Sequence, residues 1–483
     1  MNNFVTLLTD PQVEQIHQAA LEVLEKTGLL VRNEKARQVF ARHGCQLEQG
    51  SEVVRFPRQV VEEYRKMMPS TFSFLARDPQ YDRILPKDGP VMITASSAPN
   101  IIDPVTGKER RATSSDIARI AHLVQQLPGY DVFSVSTLAD DARPEHFTLG
   151  RLYPAMKYCS KPLRINSRDL ADTETILKLG YLVAGSQAAY RDHPFITHHY
   201  CPVVSPLTMD FASTEMLIYC CEQKLPVYPT IVPNAGLTSP MSLAGTLAQG
   251  NAEFLAAACL MQMVQPGTPL IYATLPTVAD MRSGAYASGG IECGMLHMAC
   301  AQLARFYNVP YGGYIGLTNA KVNDAQAGFE TGMSATAGFL SGMDMLNMNG
   351  LLDALKVFDF GKAVVDDEIC LMLKRIKRGF EFSDDEFALE VINQVGPGGS
   401  FMVHPHTMAR MKTSSLLTKV ADRSAREGWE KKGALDTQTR AMQRAHEVLS
   451  KPSQVSFSPE LDGKIRAAFP GLVPGNLELP AGW

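Results

Sequence analysis

The sequence lacks the features that mark several common classes of protein. Its 46 basic and 50 acidic residues give a formal net charge of -4, so no excess of positive charge would attract nucleic acid or an anionic membrane. No apolar run is long enough to cross a bilayer, and the longest helical candidate, Phe254 to Val264, contains Gln262. No basic leader precedes an apolar segment at the N-terminus, so we expect no secretory signal.

Cysteine is sparse and unpatterned. The nine cysteines are scattered without a Cys-x-x-Cys pair, which gives no support for a disulfide framework or a zinc ribbon. Most of them have apolar neighbours, as is typical of buried free thiols. Together with the missing leader, this pattern predicts a soluble cytoplasmic protein.

Several catalytic motifs are also missing. The sequence has neither Gly-x-x-x-x-Gly-Lys-Ser/Thr nor Gly-x-Ser-x-Gly, so it gives no support for P-loop phosphoryl transfer or serine hydrolysis. His198 and His199 could begin a metal site, but alternation along a strand sends them to opposite faces. No other Cys-His cluster follows a neighbouring strand. We therefore expect no metal in this chain.

From about residue 90 the chain repeats a short apolar run, a polar turn and a helical stretch of about 12 to 20 residues. The eight runs are residues 91–94, 132–135, 163–165, 195–198, 227–232, 270–273, 311–315 and 343–346. Strands that alternate with helices pair in parallel, and eight units within about 260 residues predict an α/β fold, a (β/α)8 TIM barrel. The main alternative is an open doubly wound sheet. That fold ordinarily carries Gly-x-Gly-x-x-Gly after its first strand, where this chain has Ala95 to Asn100.

The flanking segments predict three regions: an N-terminal helical extension over residues 1–88, the barrel over 89–380, and a C-terminal helical region packed on the barrel over 381–483. Asn323, with Gln326 three residues on, is expected to cap the helix after the seventh strand. The acidic triplet Asp366 to Glu368 is expected at a helix start, where the helix dipole favours negative charge.

In a barrel, the residues that follow each strand form the reactive face. Here they are mostly uncharged amides, hydroxyls and aromatics, which suit a cation that cannot donate hydrogen bonds. The candidate substrate-binding residues are His199, Tyr200, Glu253, Tyr272, Tyr314, Gly316, Thr318, Asn347, Phe358, Phe360, His404 and His406. Asn349 also follows the eighth run. Each aromatic has the alternative of filling the core, and His404 and His406 of lying on the surface. Of His198 and His199, one is expected to be structural and the other to line the mouth, and Glu253 has the alternative of being a buried structural partner.

Several ordered motifs together resemble the trimethylamine methyltransferase superfamily. They are Gly236-x-Thr-x-Pro240, Gln249 to Glu253, Pro266-Gly-x-Pro269, Tyr311 to Lys321 with Asp324 to Ala327, Asp366 to Glu368, and Gly396 to Gly399 with His406-Thr407. The resemblance implies a (β/α)8 enzyme that moves a methyl group from a methylated amine to the corrinoid (cobalamin) of a separate cognate partner protein. It also implies no tightly bound cofactor in this chain, and such families often form homo-oligomers.

The resemblance points to the branch without pyrrolysine, because the strand-seven region holds only the ordinary residues Tyr314 to Thr318. That branch demethylates quaternary amines, and glycine betaine, giving dimethylglycine, is the first candidate, with proline betaine and carnitine next. From a different class, the chain could be a non-catalytic quaternary-amine binding protein. A barrel lyase or aldolase would need a lysine at a strand end. Lys161 and Lys224 lie before strands, and Lys321 lies beyond the glycine-rich turn that follows the seventh run.

Overall fold

The computed structural model describes residues 4–348 and 350–483, and eight parallel strands form its centre. They are β1 Val91–Ile93, β2 Phe133–Ser134, β3 Leu163–Ile165, β4 Ile196–Tyr200, β5 Val227–Ile231, β6 Tyr272–Thr274, β7 Tyr311–Gly313 and β8 Met345–Asn347. Neighbours follow chain order from β2 to β8, and β8 pairs with β1. A parallel bridge from Ile93 to Val132 brings β1 beside β2. The predicted TIM barrel is confirmed, with strand ends within a few residues of those predicted.

A helix follows each strand and covers the outside of the barrel. These helices are α1 Ser114–Gln126, α2 Leu149–Tyr158, α3 Leu170–Ala184, α4 Phe211–Glu222, α5 Leu243–Val264, α6 Ile291–Tyr307, α7 Ala325–Leu340 and α8 Phe360–Arg378. Strands with helices on the outer side bury both faces, which is why their sequences read as continuous apolar runs. No helix within the described part of the chain is both long and apolar enough to span a membrane.

Two predicted helix starts differ from the structure. The cap of α7 is Asp324, which accepts the backbone N–H of Gln326 at 2.9 Å, whereas the Asn323 side chain donates to Gln438 at 2.6 Å. Either residue type can cap a helix, and the tertiary contact to Gln438 takes Asn323 away from that role. Helix α8 begins at Phe360 after its Asp359 cap, so the acidic triplet lies in mid-helix and its predicted position is wrong.

Each acid of the triplet instead binds a different segment outside α8. Asp366 forms a fully buried ion pair with Lys362 of the same helix and accepts the backbone N–H of Gly350 at 2.8 Å. Asp367 accepts the backbone N–H of Gly129 at 2.6 Å. Glu368 accepts three backbone N–H groups of residues 419–421, at 2.6 to 2.9 Å. The three side chains point apart, as expected from helical geometry, and they tie α8 to its surroundings.

A hairpin closes the N-terminal end of the barrel. Strands Phe72–Phe74 and Arg83–Leu85 pair antiparallel, and their apolar side chains form one cluster with Val91, Tyr228 and Met345 from inside the barrel. Because this end is filled by packed side chains, the C-terminal ends of the strands are left to form the site.

The regions outside the barrel combine short strands with helices. The N-terminal segment has helices Asp10–Glu22, Val23–Thr27, Glu34–Arg42, Arg58–Arg65 and Pro79–Tyr81, with strands Leu29–Val31, Gln46–Leu47 and Val53–Arg55. Within the barrel's connections lie helices Pro144–His146 and Gln187–Asp192, and strands Asn100–Ile102, Glu109–Arg111, Val203–Val204, Thr208–Met209, Asn234–Ala235, Thr277–Asp280, Ala285–Ala287, Leu351–Leu352 and Val357–Phe358. The C-terminal helices are Asp384–Phe387, Leu389–Val395, Pro405–Ser414, Arg426–Lys431, Thr437–Leu449 and Pro459–Ala468.

Candidate active site

A fully buried arginine lies at the centre of the barrel. Arg164 occupies the middle of β3, and alternation along the strand points it inward, whereas Leu163 and Ile165 join the outer core. Its Nε donates to Ser134 Oγ at 3.0 Å, and its Nη1 donates to the Tyr228 hydroxyl at 2.9 Å and to Asn347 Oδ1 at 2.8 Å. One guanidinium thereby links β2, β3, β5 and β8.

The charge of Arg164 has no counterion within the described residues. Its side-chain partners are hydroxyls and an amide, and no carboxylate among residues 4–348 and 350–483 forms an ion pair with it. A buried arginine is ordinarily paired, because an isolated charge loses its hydration on burial. The barrel centre therefore carries a positive charge that an anionic group of a ligand can neutralise.

Tyr314, just after β7, connects this arginine to the barrel mouth. The guanidinium carbon of Arg164 lies 5.2 Å from the centre of the Tyr314 ring, and Nη2 donates to its hydroxyl at 3.1 Å. The same hydroxyl lies 3.3 Å from His199 Nε2 and 3.4 Å from Ser96 Oγ. His297 Nε2 lies 2.9 Å from the Tyr314 carbonyl oxygen and holds the backbone of this turn.

The two adjacent histidines of β4 have different surroundings. His199 points inward, with its ring centre 6.0 Å from that of Tyr228. Burial, and then the nearby charge of Arg164, hold the pKa of His199 well below its usual range. His198 points outward beside Tyr200, their ring centres 6.3 Å apart, and burial lowers its pKa to about 4. Both imidazoles are therefore neutral at pH 7.

Several buried polar atoms near the strand ends have no hydrogen-bond partner among the described residues. They include Thr137 Oγ1, Thr230 Oγ1, Asn234 Oδ1 and Asn347 Nδ2. Buried polar atoms are almost always hydrogen-bonded to protein or water. These four atoms, in or just after the C-terminal ends of β2, β5 and β8, leave hydrogen-bonding capacity at the mouth that polar ligand atoms or water can use.

The glycine-rich elbow after β7 is held tightly from outside. Gly316 has a φ of 72°, and a Cβ there would lie 2.8 Å from Met348 Sδ, so the turn has no room for a side chain. Thr318 Oγ1 and the Asn319 backbone N–H both donate to Glu330 Oε2, at 2.6 and 2.8 Å. The Thr318 hydroxyl is thus engaged by α7, and the elbow is clamped to that helix.

The structure brings His199, Tyr314 and Asn347 together, with Gly316 and Thr318 on the adjoining elbow. Tyr200 lies on the outer side of β4, where its hydroxyl lies 2.8 Å from Ser167 Oγ.

The remaining predicted residues lie elsewhere in the fold. Tyr272 points outward and donates to Asn251 Oδ1 at 3.1 Å, and Glu253 accepts from Ser205 Oγ at 2.6 Å. Phe358 and Phe360 pack at 5.3 Å between ring centres, and Phe360 also packs on Trp483. His404 caps the C-terminal helix Pro405–Ser414 that includes His406. Asn349 lies outside the described residues.

Sequence reasoning missed three residues of the candidate site. Arg164 lies between the aliphatic residues Leu163 and Ile165 of a short strand. Because these two point outward, alternation along the strand could have indicated that Arg164 points inward. Tyr228 lies within β5, whose sequence is apolar on both faces, so no local signal marks it as inward-facing. Tyr286 comes from the hairpin after β6. Burial raises the pKa of its hydroxyl, and the nearby Cys293 and Tyr314 raise it further.

An exposed apolar rim borders this mouth. Leu237, Met241 and Met281 are 55%, 52% and 61% exposed and follow β5 and β6. A Cβ on Gly236 would lie 2.9 Å from the Met241 sulfur and 3.0 Å from that of Met281, so the two methionines are neighbours. Flexible methionine surfaces suit protein partners.

Within the described ranges, no group of three or more His, Cys, Asp or Glu is placed to hold a metal ion.

A TIM barrel with an arginine-centred polar mouth has the arrangement of an enzyme active site. The chain matches the family described as trimethylamine methyltransferase (MTTB) over residues 2–471, and it belongs to that family of methyltransferases.

Two relatives illustrate its position in the family. It is 32% identical to glycine betaine methyltransferase of Desulfitobacterium hafniense (strain Y51), over 95% of this chain and 96% of that protein. It is 30% identical to trimethylamine methyltransferase MttB of Methanosarcina barkeri (strain Fusaro / DSM 804), over 92% of this chain and 90% of that protein.

Proposed function

We propose that this protein transfers a methyl group from a carboxylate-bearing quaternary amine to the Co(I) corrinoid of a partner protein. Glycine betaine is the first candidate substrate, and proline betaine and carnitine carry the same two charges. The observation that carries the proposal is that the buried guanidinium of Arg164, at the barrel centre, has no carboxylate counterion among the described residues. A trimethylamine substrate has no anionic group for it. A relative named for glycine betaine, similar over 95% of this chain, supports the same choice.

The charge of Arg164 gives the bound substrate a direction. Two unit charges about 5 Å apart interact by roughly 3 kcal/mol at an effective dielectric constant of about 20. The carboxylate is therefore drawn toward Arg164, and the ammonium is driven from it toward the open end. An N-methyl group then faces the mouth, where a methyl acceptor must approach.

The aromatic residues of the mouth suit the ammonium end. Tyr314 and Tyr286 are phenol rings at this level, and a ring face attracts a cation by about 0.5 to 2 kcal/mol depending on desolvation. A quaternary nitrogen donates no hydrogen bond, so rings serve better than acceptors. His199 stays neutral and adds no opposing charge.

The proposed reaction needs no proton transfer. When bound, the corrinoid supplies a Co(I) nucleophile that accepts the methyl group. The carbon–nitrogen bond breaks with its electron pair left on nitrogen, and glycine betaine becomes dimethylglycine. The nitrogen leaves as a neutral amine, so the residues of this chain have only to bind and orient the substrate. Neutral His199 and the hydroxyls of the mouth fit that role.

The corrinoid is expected on a separate protein, so this chain needs a docking surface at the mouth. The exposed rim of Leu237, Met241 and Met281 lies where that partner must approach, and we assign it to the contact.

All nine cysteines are free thiols, which supports a reducing cytoplasmic location.

The test measures methyl transfer to reduced free cob(I)alamin by the change in absorbance as methylcobalamin forms. The methyl donors compared are glycine betaine, proline betaine, carnitine, choline and trimethylamine. Transfer from the carboxylate-bearing compounds alone supports the proposal. Preference for trimethylamine or choline contradicts it. Binding of betaines without any transfer, to free cobalamin or to a corrinoid protein, would instead identify a quaternary-amine binding protein, which the Arg164 network would serve equally well.

A further inference from the structure

The hairpin after β6 carries Tyr286 into the candidate site on an edge strand. Its strands Thr277–Asp280 and Ala285–Ala287 pair antiparallel, and the first also pairs in parallel with Asn234–Ala235. The three strands form one sheet in which Ala285–Ala287 lies at the edge. Short hairpins are marginally stable in water without further packing. The position of Tyr286 therefore depends on what holds the outer side of this edge strand.

The side-chain amide of Asn319 holds that outer side. Its Nδ2 donates to the Tyr286 carbonyl oxygen at 2.8 Å, and its Oδ1 accepts the backbone N–H of Gly289 at 2.8 Å. One amide thus binds the backbone of Tyr286 and the backbone three residues further on. The two bonds need a donor and an acceptor on one planar group, which a carboxamide supplies and a carboxylate does not.

Asn319 is itself fixed by helix α7. Its backbone N–H donates to Glu330 Oε2 at 2.8 Å, and Gln326 Nε2 donates to Glu330 Oε1 at 2.9 Å. The hairpin also passes close to this carboxylate, because a Cβ on Gly289 would overlap Glu330 Oε2. The amide of Asn319 therefore starts from a fixed backbone, and it holds the edge strand against α7.

The Tyr286 side chain has the features of a ligand-binding group. It lies opposite Ala279 in the hairpin, whose side chain is small and buried. The Tyr286 hydroxyl is buried and has no hydrogen-bond partner among the described residues, although buried hydroxyls are ordinarily hydrogen-bonded. It lies close enough to Tyr314 for the two hydroxyls to interact electrostatically. The hairpin thus adds a second phenol ring to the aromatic end of the site.

We propose that Asn319 is a positioning residue for methyl transfer, which acts by holding the Tyr286 ring against the ammonium end of the substrate. The inference rests on the proposed function, because the ring has this task only if a quaternary ammonium binds. A cation–π contact acts within about 6 Å of the ring centre, so a ring released by a few ångströms loses most of the attraction. Because this contact is made in the bound substrate and in the transition state alike, its loss affects KM and not kcat.

The test is the Kd for glycine betaine, measured by calorimetry for wild type, Tyr286→Ala, Asn319→Ala and the double variant. Each single substitution is expected to raise the Kd about tenfold, the scale of one desolvated cation–π contact. The double variant is expected to show the same rise of about tenfold, because both substitutions remove one contact. In methyl transfer to free cob(I)alamin, Asn319→Ala should raise KM by the same factor and change kcat by less than about twofold.

Two further variants separate positioning from general support of the fold. Asn319→Asp keeps the acceptor for the Gly289 N–H but loses the donor to the Tyr286 carbonyl, so it is expected to behave like Asn319→Ala. Asn323→Ala is the matched control, since that asparagine lies in the same loop and donates to Gln438 of a C-terminal helix. Its Kd should equal that of wild type. Thermal unfolding curves check that every variant is folded.

Hydrogen exchange of wild type gives a second readout, with slow exchange expected for the Gly289 amide, which donates to Asn319 Oδ1. Rapid exchange of that amide overturns the inference. A folded Asn319→Ala protein that binds glycine betaine like wild type also overturns it, and so does a double variant in which the two effects add, to about a hundredfold. If wild type binds no betaine at all, the proposed function fails and the inference fails with it.

Discussion

The guanidinium carbon of Arg164 lies 5.2 Å from the centre of the Tyr314 ring, and its Nη2 donates to the hydroxyl of the same residue at 3.1 Å. The pair joins the deep, positively charged end of the proposed site to its aromatic end. Each end therefore suits one half of a zwitterion.

Tyr314→Ala is expected to raise the Kd for glycine betaine about tenfold, because it removes one desolvated cation–π contact. Tyr314→Phe keeps the ring but removes a hydroxyl that accepts from Arg164, so its effect should be smaller. Tyr272→Phe is the matched control, since that hydroxyl points outward to Asn251. Calorimetry measures all three, and a Tyr314→Ala protein with unchanged affinity would return this ring to a purely structural role.

Binding should not depend on pH through His199. Burial and Arg164 hold the pKa of His199 well below its usual range, so the ring stays neutral from about pH 5.5 to 8. The Kd for glycine betaine over that interval is expected to change by less than about twofold. A rise in Kd with a midpoint between about pH 6 and 7 would show that the histidine ionises and would contradict the neutral site.

Gly316→Ala is expected to destabilise the protein by about 1 to 3 kcal/mol, since φ is 72° and a methyl group would meet Met348 Sδ at 2.8 Å. Gly328→Ala is the control within α7, where a Cβ meets nothing within 4 Å, and it should be neutral or stabilising by up to about 1 kcal/mol. Denaturant unfolding measures both. Equal stabilities of the two variants would show that the elbow tolerates a side chain.

Asp367 is expected to make the stability pH-dependent. Burial raises its pKa to about 6, above the unfolded value of about 3.9. The contribution of Asp367 to the free energy of unfolding is therefore fully present below about pH 4 and is lost as the pH rises through about 6. Asp367→Asn should therefore gain about 2 to 3 kcal/mol relative to wild type between pH 4 and 7. Parallel pH profiles for the two proteins would contradict the raised pKa.

The sequence predicted the barrel well because strand periodicity and helix punctuation are local signals. Runs such as Val227 to Val232 are apolar on both faces, so strands were found but their inward residues were not. That is why Tyr272, which packs on Phe254 outside the barrel, was grouped with Tyr314. His198 and His199 are adjacent polar residues in a strand, so alternation alone predicted that they point to opposite faces.

Other parts of the site depend on contacts that the sequence does not encode locally. Arg164 binds residues on three other strands, and only the closed barrel brings these together. Phe360 packs on Trp483, 123 positions along the chain. His404 and His406 belong to the C-terminal helix Pro405–Ser414 and its cap, and nothing in the local sequence shows where that helix lies relative to the mouth.

The most direct measurement of the central claim is the rate of methyl transfer from glycine betaine and from tetramethylammonium by wild type and by Arg164→Gln, with a thermal unfolding curve for each. We predict that wild type prefers glycine betaine, and that Arg164→Gln raises its KM at least about a hundredfold. The KM for tetramethylammonium is expected to rise far less, because that substrate has no carboxylate for Arg164 to bind. A folded Arg164→Gln protein that keeps the wild-type KM for glycine betaine would contradict the account.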